Sequence, residues 1–483
     1  MVYFYTIFFG LALLSTLALI FTKIYKKDSL VLEKITKILV IVFMSLHFLN
    51  LFLPDSLAMR TFDDLSNYVG GENIWFILIR WFNDFAFIAI PIALFFKNKT
   101  FIKFVSFFTL IISIVNASIF FKYIEVYTST AGAGIMALRF FSAETKAFFI
   151  NPIFRGIYFG IENYIQLMLS IFILLKNVKT IEFNKEIKEI LKEVAVFFAT
   201  LVSVIPIYAP QFLFKGYSLT TENVFTTFKM GEFFHIVWII FIILEGIILT
   251  YIFKNKSKET KLILIYILTF SLILQYNQMF TGIGEITTHR MPFQLCNMAP
   301  LFILIMLLTK SEKVYHFTLV INAVGAIIAM VMCDTTPYGV TYIMNIHYIA
   351  EHTNVILIPI LCATLRIFAP LKNKDVKHFI IGFTIYFLFI LLVGGIFTGL
   401  KETTGNDYWN CNYLFMFNKE ETMAIVGFVG PLFDMKIVIA NFFTLSLTQL
   451  LVYLVFMGIC TGAFFLMKLL LNKNTKKLID TND

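Results

Sequence analysis

Charge is scarce in this chain. Only 14% of its 483 residues are Asp, Glu, Lys or Arg, 59% are hydrophobic, and the mean hydropathy is +0.84. Soluble domains carry about a quarter charged residues, so a soluble fold is excluded and a multi-pass, all-α membrane protein is expected. Cysteine is scarce too: Cys296, Cys333, Cys362, Cys411 and Cys460, with none in the first 295 residues. No CxxC or CxxxC spacing occurs, which removes cysteine-based zinc and iron–sulfur sites; neither a metal nor a cofactor is expected. Several cysteines fall inside hydrophobic runs, so no disulfide framework is expected, although Cys333 and Cys411 could meet outside the membrane. The net charge of +9 does not imply nucleic acid, because the lysines sit in short loops between apolar runs. The first apolar run, Tyr3 to Tyr25, lacks a basic leader and a small-residue cleavage site, so it reads as a span and not as a signal peptide. The 58 phenylalanines and the excess of lysine over arginine are a compositional bias without chemical meaning.

What is abundant is long hydrophobic segments. About 20 apolar residues cross ~30 Å of hydrocarbon. Thirteen segments qualify, near 3–25, 35–54, 74–96, 101–121, 152–176, 193–214, 232–254, 261–281, 291–309, 314–333, 344–368, 377–398 and 440–468. Each is expected to be helical, because backbone in lipid must satisfy its own hydrogen bonds. Lysine clusters follow alternate spans, as at Lys23, Lys26 and Lys27, at Lys254, Lys256 and Lys258, and at Lys473, Lys476 and Lys477. The other loops carry Asp55, Asp63, Asp64, Glu72, Glu285 and Asp334. By the positive-inside rule the N-terminus is outside and the C-terminus cytoplasmic, in the cell membrane.

The two halves share short matches at fixed offsets. Pro91-Ile-Ala-Leu aligns with Pro300-Leu-Phe-Ile, and Phe108-Thr-Leu-Ile-Ile with Phe317-Thr-Leu-Val-Ile, both 209 residues apart. Ile161-Glu-Asn163 aligns with Ala350-Glu-His352, and Asn223 to Phe228 with Asn412 to Phe417, both 189 apart. One longer loop near 122–150 accounts for the change. Two parallel six-helix repeats plus a C-terminal helix are expected, with residues 1–231 as a degenerate copy and 232–483 carrying the site. At the positions that matter, Phe87 stands for Cys296 and Asn163 for His352.

Cys296 and His352 are the sharpest chemical signal. Counting along the spans puts both in the outer third of the bilayer, at similar depth. A thiol and an imidazole at one depth are the minimal parts of a nucleophile and its base. The commonplace alternatives are a small buried hydrophobe for the cysteine and a packed polar group for the histidine. Gln294, Asn297 and Asn277 are candidate donors to a developing oxyanion by depth, though Gln294 and Asn297 cannot both share the face of Cys296. Arg290 is either a lipid-phosphate contact or a snorkelling anchor. Glu351 reads as a structural or hydrogen-bonding group, and Asn412 and Tyr413 as an outer-loop lid or headgroup contact.

The segments Met291-Pro-Phe-Gln-Leu-Cys-Asn-Met-Ala299, Asp334-Thr-Thr-Pro337, His352, Asn412-Tyr-Leu-Phe-Met-Phe417 and Gly430-Pro431 resemble the YwaF family of bacterial integral membrane proteins. The resemblance runs from about residue 232 to the end. Animal relatives of that family look like cysteine-dependent transmembrane acyltransferases acting on phospholipids. The family's usual Leu-Pro-Leu-His-Leu-Cys-Asp is altered here, with Gln294 for the histidine and Asn297 for the aspartate. The resemblance implies an acyl-thioester on Cys296 with His352 as general base, and membrane lipids as partners. Two other classes compete: a transporter built from parallel repeats, and an inactive structural protein on an enzyme fold.

Overall fold

The computed structural model describes residues 30–52, 89–93, 99–113, 151–177, 228–282, 288, 293–333, 343–425, 430–439 and 443–479, with a few single positions besides. The helices are α1 (Leu30–Phe52), α2 (Pro152–Asn177), α3 (Phe233–Phe253), α4 (Lys258–Gly282), α5 (Leu295–Thr309), α6 (Glu312–Met332), α7 (Ile343–Thr364), α8 (Val376–Thr404) and α9 (Leu447–Ile479). The spans expected at 193–214, and most of 3–25 and 74–96, lie outside the described residues.

Among the described residues, four helical stretches are long and apolar enough to cross a bilayer: Phe233–Phe253, Glu312–Met332, Asn373–Thr404 and Leu447–Asn472. Three more apolar helices, Gly160–Ile173, Leu295–Thr309 and Tyr348–Thr364, are shorter. The chain is a membrane protein. Helix α3 makes the point: only His235, Trp238 and Ile242 are buried, a single stripe, while Ile240, Phe241, Ile243, Leu244 and Ile247 face outward. A helix apolar on its outer face is at home only in lipid.

The chain divides into two compact units. The first holds residues 1–223, 262–285 and 338–347; the second holds 224–261, 286–337 and 348–483. In the first unit α1 packs on α2, where the Tyr158 hydroxyl donates to the Leu46 carbonyl. One face of α2 buries Glu162, Asn163, Gln166 and Ser170.

In the second unit, α5 and α6 form a tight hairpin. Lys310 takes a left-handed conformation (φ 53°) and Ser311 caps α6 by accepting from the Val314 amide at 3.4 Å. Helix α6 contains a π-helical turn at Thr318–Asn322. Helix α8 buries Phe379, Phe383, Tyr386, Phe387, Ile390 and Gly394 along one face. Two of its glycines allow close approach: a Cβ on Gly394 would stand 2.3 Å from the Phe417 ring, and one on Gly395 would stand 2.7 Å from Phe443.

Three expectations need correction. The span expected at 291–309 starts as a helix at Leu295, because Gln294 is its N-cap, in extended conformation (φ −63°, ψ 148°). The span expected at 440–468 starts at Leu447. Before it lies an antiparallel hairpin, β1 (Lys436–Ile439) with β2 (Phe443–Ser446), so the fold is not purely helical. The β-branched Ile437, Val438, Ile439 and Thr444 suit a strand, and hydropathy does not separate them from a helix. All five cysteines are free thiols, so Cys333 and Cys411 do not pair.

Candidate functional site

Cys296 is the second residue of α5, in its first turn, where backbone N–H groups have no intrahelical acceptor. The sulfur lies within hydrogen-bonding reach of the Cys296 and Asn297 amides. The thiol donates to Asn297 Oδ1 at 3.5 Å. Four of the five cysteines are fully buried; Cys296 alone is partly exposed. Leu295 seats the start of α5 on α6, its Cδ2 only 2.8 Å from where a Gly325 Cβ would be.

His352 is buried at 2% exposure in the middle of α7. Its Nδ1 lies 2.7 Å from the Tyr348 carbonyl one turn earlier. A carbonyl only accepts, so Nδ1 carries the proton, and the neutral ring presents its lone pair on Nε2. The Tyr348 ring lies against the imidazole with centroids 4.2 Å apart. Thr353 Oγ1 and Asn354 Nδ2 bond back to the Ile349 and Ala350 carbonyls in the same way, at 2.6 and 3.0 Å. This polar turn is braced from outside: the Trp238 indole donates to Thr353 at 2.8 Å, and the Tyr348 hydroxyl donates to the Ala329 carbonyl at 2.6 Å.

The thiol is within electrostatic reach of Glu351, the neighbour of His352, and of Tyr386 on α8. Glu351 is 2% exposed. Sequence reasoning set Glu351 aside as structural and missed Tyr386 altogether. Tyr386 donates to the Phe293 carbonyl at 2.6 Å, which fixes the turn leading into Cys296. A tyrosine within an aromatic run carries no signal of such a role; a buried acid beside an intramembrane histidine does.

Asn412 and Tyr413 are not a loose lid. Both are buried. Asn412 Oδ1 accepts from the Phe417 and Asn418 amides, each at 3.1 Å, and the Tyr413 hydroxyl donates to the Thr288 carbonyl. Gln294 completes the clamp: its Nε2 donates to the Asn412 carbonyl at 2.9 Å and its Oε1 accepts from the Leu414 amide at 3.0 Å. The loop so held contains Leu414 and Phe415, both at φ 53°, a conformation non-glycine residues adopt only under constraint. The structure therefore gives Gln294 a loop-holding role, and sets Asn297 beside the sulfur as an acceptor. Arg290 and Phe87 lie outside the described residues; Asn277 lies on α4, its side chain outside the description.

No curated protein and no solved structure matches this chain. The profile of the TMEM164 family, a membrane protein family, matches residues 158–468, well over half the chain. The matched stretch includes Cys296, Glu351, His352, Tyr386 and the clamped loop, and it begins within α2, earlier than the residue-232 start read from the motifs. The chain belongs to the TMEM164 family.

Proposed function

We propose that this protein is a membrane-embedded, lipid-modifying acyltransferase working through a thioester on Cys296. The observation that carries the reading is the histidine's hydrogen bond: Nδ1 donates to the Tyr348 carbonyl, which puts the ring's lone pair on Nε2, the atom a general base uses. Supporting it is the partly exposed thiol in the first turn of α5.

In this reading His352 Nε2 takes the thiol proton as sulfur attacks the carbonyl carbon of a lipid ester. The oxyanion is stabilised by backbone N–H groups at the start of α5. The intermediate collapses, the alcohol leaves with the proton from His352, and the acyl group stays on sulfur. An acceptor hydroxyl or amine then attacks the thioester, and its proton returns by way of His352 to the sulfur. Glu351 steadies the imidazolium between steps. Phospholipid, lysophospholipid and a lipoprotein amino group are the acceptors to compare.

The lysine-rich alternate loops support an outer-leaflet site, with the N-terminus outside in the cell membrane. Glu162 and Asn163 are buried as Glu351 and His352 are, which supports reading residues 1–231 as a repeat that lost the site and 232–483 as the working copy. The resemblance of the chain's motifs to the YwaF family, with cysteine-dependent acyltransferase relatives, supports this reading.

The test is labelling of purified protein in liposomes with a clickable phospholipid, followed by hydroxylamine release. Wild type labels and Cys296→Ala does not; equal labelling of the two overturns the covalent mechanism. One observation favours a second reading, a catalytically silent structural protein: Gln294, standing where the resembled pattern has histidine, is occupied by the loop. Absence of any hydroxylamine-sensitive adduct on wild type selects it.

A further inference from the structure

A second polar cluster lies at the other end of the α5–α6 hairpin from Cys296, roughly 20 Å away by the rise of α5. His316 comes from the first turns of α6, and Asp375 and His378 from the turn that starts α8. Each offers one ligand atom, and these atoms lie within 4.8 Å of one another. The two imidazole rings are parallel within 1°, with centroids 5.2 Å apart, and their Nδ1 atoms are 3.0 Å apart. The two nitrogens are at hydrogen-bond distance, one ring donating to the other, and an ion would take the place of the shared proton.

The carboxylate does not hydrogen-bond either ring. Asp375 Oδ2 is 3.7 Å from His316 Nε2, and Oδ1 is 3.9 Å from His378 Nδ1, beyond hydrogen-bond length. Its recorded hydrogen bond is from the Lys372 amide at 2.7 Å, which orients it. The His316–His378 hydrogen bond does not account for a buried carboxylate (5% exposed) placed beside both rings without bonding either. The three groups together are well explained as a ligand set. Tetrahedral ligands at 2.0–2.1 Å from zinc sit ~3.3–3.4 Å from one another, and one ligand atom from each of the three residues, all within 4.8 Å of one another, reaches that geometry with a small side-chain adjustment.

The surroundings are built to hold the geometry. The Lys468 ammonium donates to Asn373 Oδ1, and Asn472 Nδ2 donates to the Leu371 carbonyl at 2.8 Å, so α9 pins the turn that carries Asp375. Glu312, one turn before His316, adds negative charge that acts on His316. His378 keeps 17% side-chain exposure, an approach for the ion and for a water as fourth ligand.

We propose that His316, Asp375 and His378 bind a divalent transition-metal ion of the zinc class, two imidazoles and one carboxylate with a fourth position open. The cysteine pattern excluded only cysteine-based metal sites, and this one uses none. It does not depend on the acyltransfer reading.

The test uses the full chain in nanodiscs, purified without a polyhistidine tag. It is equilibrated with about 1 µM free zinc, a concentration at which such sites are filled, then desalted, and its metal content is measured. The expected result is about one zinc per chain, with Co²⁺ giving the intense visible bands of a tetrahedral site. Asp375→Asn weakens zinc by at least the ~10–100-fold that loss of a supporting partner costs, while His378→Cys, which keeps a donor, retains it. Wild type that holds no zinc overturns the proposal and leaves a histidine–aspartate contact. Asp375→Asn that elutes as wild type does and holds zinc equally well overturns it too.

Discussion

At the scale of the residue, the thiol and the imidazole differ in how far sequence could take them. Both residues stand out in the sequence because polar groups in apolar runs are rare. Which nitrogen of His352 could act as base was not legible there, since it depends on a carbonyl one turn away that only the helix brings within 2.7 Å. His352→Gln is expected to slow thioester formation by roughly the 10²–10⁴-fold of a lost general base, measured as the labelling rate in liposomes, with an unchanged melting temperature. Cys460→Ala, at a buried thiol in α9, leaves labelling intact. A maleimide reagent applied to the folded protein modifies Cys296 ahead of the other four thiols, because it alone is partly exposed; peptide mapping after a short exposure reads this out.

At the scale of the element, the loop at 410–418 and the turn at 293–294 form one unit. Gln294→Ala leaves the Leu414 amide without its acceptor, at a cost of about 1–3 kcal/mol. Thermal unfolding in detergent shows the loss, and increased proteolysis within 406–418 shows where it falls. Gly394→Ala drives a methyl group into Phe417, whose ring carbon is 2.3 Å from the Cβ position. Overpacking of this kind costs about 1–3 kcal/mol, so the variant melts lower, and Cys296 labelling falls with it if the loop positions the site. Helix extents were largely readable: the expected 232–254 and 314–333 are Phe233–Phe253 and Glu312–Met332 in the structure. The hairpin at 436–446 and the π-helical turn at 318–322 were not, because a short apolar run of Ile, Val, Thr and Phe cannot be told from a buried helical segment by its hydropathy.

At the scale of the whole molecule, the apolar outer surface of α3 and α9 ties the chain to lipid. Ile243, 57% exposed near the middle of α3, is a position where lysine would stand in hydrocarbon. Ile243→Lys is expected to cost about 3–4 kcal/mol of insertion, visible as a loss of membrane-inserted product in translation with microsomes, while Ile243→Leu inserts normally. That the protein belongs in a membrane was determined by sequence alone, since transfer of side chains from water depends on composition and run length and on little else. The coupling of the thiol to Glu351 and Tyr386, the clamp of Gln294 on Leu414, and the meeting of His316 with Asp375 and His378 were decided by tertiary structure. Each joins residues dozens of positions apart through helix packing, and the outer apolar faces that dominate the sequence pattern carry no record of which inner faces meet.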